Sequence, residues 1–136
     1  MLSNRLAGKV AVVSGAARGL GSIMASAFAQ HGAKIVALDT DSVGNERTAA
    51  TIVASGGEAI ALDCDVTSSV HVGRAVDAAV VRFGKIDILV NCAVVFITDG
   101  PITDIDEGEW LRSWNVNVHG TFRLCKAVIP VMKNNG

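Results

Sequence analysis

Three glycines and one carboxylate carry the first chemistry in this 136-residue sequence. Gly15, Gly19 and Gly21 stand in KVAVVSGAARGLG, residues 9–21, after a short β-type run and before an amphipathic helical pattern. Gly15 suits a backbone angle closed to other residues where a strand turns sharply. Gly19 lets the backbone approach a phosphate, and Gly21 lets the helix lie tight on the strand. A helix start has unpaired N–H groups and the positive end of the dipole, so the segment can hold an anion. The spacing G-x-x-x-G-x-G differs from the commonest dinucleotide fingerprint and draws its meaning from the strand before it and the helix after it. Asp39 falls 18 residues after Gly21 and ends a second apolar run, where a carboxylate can accept from the hydroxyls of a ribose. It would also repel a 2′-phosphate and so favour NAD over NADP, whereas the Arg18 guanidinium could pair with that phosphate. Asp41 is equally eligible, and Asp39 also reads as an ordinary strand-end turn residue. Asp65 reads either as a partner for an adenine amino group or as the start of a turn before Val66-Thr67.

Other reactive types yield less. His31 reads as a helix-end polar group, His71 as an exposed helix residue, and His119 belongs to no Ser, Cys and Asp constellation. Cys64, Cys92 and Cys125 form no C-x-x-C and no metal-ligand spacing, so reduced, mostly buried thiols in a cytoplasmic protein and no metal are expected. Asp104, Asp106, Glu107 and Glu109 precede or open a helix, where carboxylates favour the dipole. Trp110 and Trp114 share a helix face and read as core or subunit packing.

The elements that must position these groups alternate. Short runs at 10–13, 34–38, 59–62 and 86–90 read as strands, helical patterns fill 20–31 and 43–55, and a third helix, capped by Thr67 or Ser68, runs to Phe83. A long helix is expected from about Asp106 to Lys133, with Asn134, Asn135 and Gly136 as its stop. This alternation implies right-handed βαβ units in one α/β domain over residues 1–136. The expected architecture is a Rossmann-like doubly wound parallel sheet with strand order 3-2-1-4 and helices on both faces. Ile86–Val90 would then lie at an edge although it reads as an interior strand, so the sequence reads as the N-terminal part of a larger domain. The net charge of −1, without a basic cluster, argues against nucleic acid or anionic membrane as a partner. No apolar segment approaches the roughly 20 residues of a membrane span.

Five segments in order, SGAARGLG (14–21), LD (38–39), CDVT (64–67), ILVNCA (88–93) and WNVNVHGTF (114–122), resemble the short-chain dehydrogenase/reductase family of NAD(P)-dependent oxidoreductases. The resemblance implies that Ser14, Gly15, Arg18, Gly19, Leu20 and Gly21 form the cofactor loop. It implies that Asp39 selects the ribose, that Asp65 and Val66 flank the adenine, and that Asn91, Ala93 and Val116 lie by the cofactor. Two departures stand out: Ser14 replaces the usual Thr and keeps the hydroxyl, and Val94 replaces a Gly near the nicotinamide end.

The family chemistry is hydride transfer between nicotinamide and an alcohol or ketone, with a Tyr acid/base, a Lys that lowers its pKa, a Ser and an Asn. Asn117 matches the Asn; read without the motif, it is a polar residue on a solvated helix face. The sequence contains no Tyr. The resemblance therefore implies the cofactor-binding part of an NAD-dependent enzyme, inactive by itself, acting on a small alcohol or ketone in the complete protein and assembling as a homo-oligomer or with a longer relative. The alternative is a naturally short, non-catalytic nucleotide-binding or dimer-modulating protein. A methyltransferase, which also places an acid after strand two, ranks below both because of the segments from Asn91 onward.

Overall fold

The computed structural model describes residues 4–135. Strands β1 (Val10–Ser14), β2 (Lys34–Asp39), β3 (Glu58–Asp63) and β4 (Ile88–Asn91) form one parallel sheet in the order β3-β2-β1-β4. Helices α1 (Gly19–Gln30), α2 (Ser42–Ala54) and α3 (Ser69–Phe83) make the crossovers, and α4 (Glu107–Trp114) and α5 (Thr121–Asn134) follow β4. The strand order and the α/β alternation are those expected from the sequence.

Successive strand side chains point to opposite faces, and both faces of β1 are buried. Ala11 and Val13 join Ile35 and Ala37 of β2, Ala25 of α1 and Ile52 of α2 in one core cluster. Val10 and Val12 join Val36, Leu38, Val72 and Val76 of α3, and Leu124 and Val128 of α5, in the other. The continuous apolar runs of β1 and β2 are thus a consequence of helices on both faces.

Most element ends shift by one or two residues from expectation, and two differences have a physical cause in view. The fourth strand begins at Ile88, not Ile86, because the Asp87 carboxylate takes the place of a ladder carbonyl. It accepts from the Val10 N–H at 2.8 Å while the Asp87 N–H donates to the Val10 carbonyl at 2.9 Å. Ile86 is buried beside the strand instead. The long helix expected from Asp106 is interrupted. Asp106 lies outside it as the N-cap of α4, accepting from the Glu109 N–H, and Asn115–Gly120 winds as a π-helical segment before α5. Hydrophobic periodicity does not register this wider turn. Gly136, the last residue of the expected stop, lies outside the described residues; α5 itself ends at Asn134.

Candidate functional site

In a doubly wound sheet the crevice lies at the carboxyl ends of the strands where the order reverses, here between β1 and β4. Gly15 makes that junction possible. Its φ is +69°, and a Cβ there would stand 2.6 Å from the Cys92 carbonyl oxygen. A Cβ on Gly21 would overlap the Gly15 carbonyl oxygen, so α1 rests directly on the turn. Gly19, at φ +57°, opens onto free space. Arg18 is the extended N-cap residue of α1 and is exposed, as is Leu20. The first turn of α1 carries no acidic side chain, so its positive end is not neutralised from within.

The two aspartates that the sequence left equivalent do different work. Asp41 caps α2 by accepting from the Gly44 N–H at 3.0 Å. Asp39, half-buried, accepts from the Ala17 N–H at 2.9 Å and from the Asp41 N–H at 3.0 Å, which fixes its carboxylate against the glycine turn. Thr48, buried on α2, supports the same turn by donating to the Ala16 carbonyl at 2.8 Å.

Ser14 is 1% exposed, and its hydroxyl faces β4. It accepts from the N–H groups of Cys92 and Ala93, both at 3.2 Å, and donates to Val90 at 3.5 Å. Its hydroxyl is therefore spent on fastening the β1 end to the segment after β4. Asn91 is exposed, with its amide 4.0 Å from the Cys125 sulfur, and Ala93 is half-buried. Val94 is 51% exposed.

Asn117 does not lie on a solvated face. Its Oδ1 accepts from the Val95 N–H and its Nδ2 donates to the Val95 carbonyl, both at 2.9 Å, with a further bond from Nδ2 to Ser113 Oγ at 3.1 Å. The amide thus clamps the segment after β4 onto the π-helical turn. Val116 packs against the core cluster that contains Val66. On the β3 side, Asp65 Oδ1 accepts from both the N–H and the hydroxyl of Thr67, at 2.8 and 2.7 Å. These bonds, led by the Thr67 N–H, hold the Asp65 carboxyl below its usual range despite the opposing effect of burial. The turn that the sequence allowed at Asp65 is present. His71 is half-buried, and its Nδ1 accepts from the Asp65 N–H at 3.4 Å.

Cys64 is buried, and burial together with the neighbouring aspartates pushes its thiol up to about 11, which leaves it protonated and inert at neutral pH. Cys92 and Cys125 are only partly buried. Trp110 and Trp114 stack at 6.2 Å between ring centroids and remain about half exposed, at 46% and 48%. Among the described residues no group of His, Cys, Asp and Glu could hold a metal ion, and no helix is long and apolar enough to cross a membrane. Sequence reasoning missed Ser113, Thr48 and Arg123. Thr48 left a faint signal as one of two polar residues, with Asn45, on the buried face of α2; the others left none.

Parallel strands around a glycine turn, with an acid fixed at the end of β2, define a nucleotide-binding domain of the Rossmann class. The chain belongs to the short chain dehydrogenase family, whose match extends over residues 9–136. It is 42% identical over 124 residues to a D-threitol dehydrogenase of Mycolicibacterium smegmatis, covering 91% of this chain and 47% of that protein. To a 7alpha-hydroxysteroid dehydrogenase of Escherichia coli it is 36% identical over 133 residues, covering 97% and 51%. A solved 3-ketoacyl-(acyl-carrier-protein) reductase from Brucella melitensis, complexed with NADH, superposes with a TM-score of 0.90 at 40% identity, covering 96% of this chain and 52% of that one. The chain spans about half the length of the relatives it matches.

Proposed function

We propose that these residues form the cofactor-binding part of an NAD-dependent oxidoreductase that acts on a small alcohol or ketone in the complete polypeptide. The Asp39 carboxylate, locked to the Ala17 N–H beside the glycine turn, carries the reading. It stands where a ribose diol would donate to it, and its charge disfavours a 2′-phosphate. Gly19 leaves room for a pyrophosphate at the α1 N-terminus, and the residues present fit a dinucleotide. Ser14, Gly15, Arg18, Gly19, Leu20 and Gly21 would border the phosphates, Asp39 the adenosine ribose, and Asp65 and Val66 the adenine. Asn91, Ala93 and Val116 would border the other half.

The nicotinamide would supply the hydride transfer. This chain's own contribution is to bind and orient. Asp39 fixes the ribose end, Ser14 and Asn117 hold the segment after β4 rigid, and Asn117 acts through its grip on Val95. With no tyrosine in the sequence, the family's proton transfer is not available from these residues. An assay of the 136-residue chain with NAD and a panel of alcohols and ketones should give binding without turnover. Sustained NAD-dependent turnover by this chain alone would refute the division of labour.

A further inference from the structure

The loops at the ligand end of the sheet are joined in a closed ring of hydrogen bonds. Asp39 of β2 holds the Ala17 N–H of the glycine turn. Ser14, just before that turn, holds Cys92 and Ala93, and Val95 is held by Asn117. From the π-helical segment the ring returns through Arg123. Its Nη2 donates to Asn115 Oδ1 at 3.0 Å, and its Nη1 donates to the Asn115 carbonyl at 3.3 Å and to the Val66 carbonyl at 3.5 Å. The Cys64 N–H, donating to the Asp39 carbonyl at 3.0 Å, closes the circuit.

The return arm is unusually direct. Gly120 packs so closely on Val66 that a Cβ would stand 2.6 Å from its Cγ2. Val66 is 6% exposed, so a shift of Val66 toward Gly120 would press on the π-helical segment. A change of winding in the π-helical segment toward α would shift its register and rotate one flank against the other. Such a rotation would carry the Asn117 amide off Val95. Arg123, in the first turn of α5, ties the π-helical segment to the β3 loop, and Asn117 ties it to the segment after β4.

We propose that Arg123 is a positioning residue that couples the Asp65–Val66 loop to the Asn117–Val95 clamp, so that filling the adenine side of the site stiffens its far side. This rests on the nucleotide-site reading given above. The planar guanidinium fork suits the task, because it reaches three acceptors on two segments at once and a point ammonium does not.

The test follows the Val95 backbone amide and the Asn117 side-chain amide by 15N NMR while 5′-AMP is added to the protein. AMP carries the adenine, ribose and phosphate but nothing that reaches Val95. In the wild type both signals shift with AMP occupancy. In Arg123→Met they cease to respond even at AMP concentrations that saturate the variant, whatever change its affinity shows. Arg123→Lys keeps the charge and the aliphatic stem and guards against misfolding; it should also lose the response. A response that survives in either variant overturns the proposal, as does a wild type that binds AMP without shifting Val95 and Asn117. Failure of the wild type to bind AMP would overturn the nucleotide-site reading itself.

Discussion

Ser14→Ala removes a single oxygen atom and tests how the two halves of the ligand end are joined. The hydroxyl accepts from two backbone N–H groups, Cys92 and Ala93, at 3.2 Å, in a residue 1% exposed. Alanine fits the space and offers no acceptor, so both donors lose their partner in a part-buried position. An orphaned polar group costs about 1–3 kcal/mol, and partial water access keeps the pair near the lower end, at about 2 kcal/mol in total. For a domain of this size that corresponds to a fall of about 7 °C in Tm. Urea unfolding followed by circular dichroism would measure it, with Ser14→Thr as the control that retains the hydroxyl and stays within about 1 kcal/mol. The variant should also lose more affinity for NADH than for ADP-ribose, because the loosened segment lies on the side away from Asp39. Wild-type stability in Ser14→Ala, within about 0.5 kcal/mol, would refute the fastening role.

Other consequences follow from the same geometry. Asp87 is held below the usual carboxylate range: burial opposes ionisation, but the Val10 N–H, Lys85 and Lys9 outweigh it. A depressed folded pKa stabilises the fold above the unfolded value of about 3.9 and withdraws that stability as pH falls through the folded value. Unfolding free energy should therefore drop from about pH 5 downward, and Asp87→Asn should flatten the drop in an acid titration of stability; an unchanged slope would contradict the pairing. Gly21→Ala should unfold or strongly destabilise the domain, by more than about 3 kcal/mol, because its Cβ would overlap the Gly15 carbonyl; thermal melts comparable to wild type would show that α1 does not rest on the turn. Asn117→Leu should leave the Val95 N–H and carbonyl without their partners and cost about 2–3 kcal/mol in chemical denaturation; a cost below about 0.5 kcal/mol would show the clamp to be dispensable.

The alternation of strands and helices was legible because its causes are local, and the strand order followed from the doubly wound architecture that alternation implies. Runs such as Lys34–Leu38 are apolar on both faces, and glycines close the helices between them; Gly84 ends α3 in the left-handed conformation. The glycine turn was legible for the same reason, since steric exclusion at Gly15 and Gly21 acts between residues of known spacing. What the sequence hid depends on contacts between distant segments. The π-helical turn at Asn115–Gly120 has ordinary helical periodicity, and its contacts run to Val66 and Val95, 54 and 22 residues before Gly120 and Asn117. Asn117 could be named from its motif, but its action on Val95 could not. Likewise, only the fold separates Asp39, fixed to the glycine turn, from Asp41, a helix cap two residues away.

The central claim is a dinucleotide site in which Asp39 selects the ribose. A parallel fluorescence titration of NADH and NADPH, repeated on Asp39→Ala, tests it most directly. NADH should bind at least about tenfold more tightly than NADPH, through the charge of Asp39 opposing a 2′-phosphate. Asp39→Ala should narrow this difference while weakening NADH. Equal affinity for the two cofactors in the wild type, or a preference for NADPH, would contradict the account.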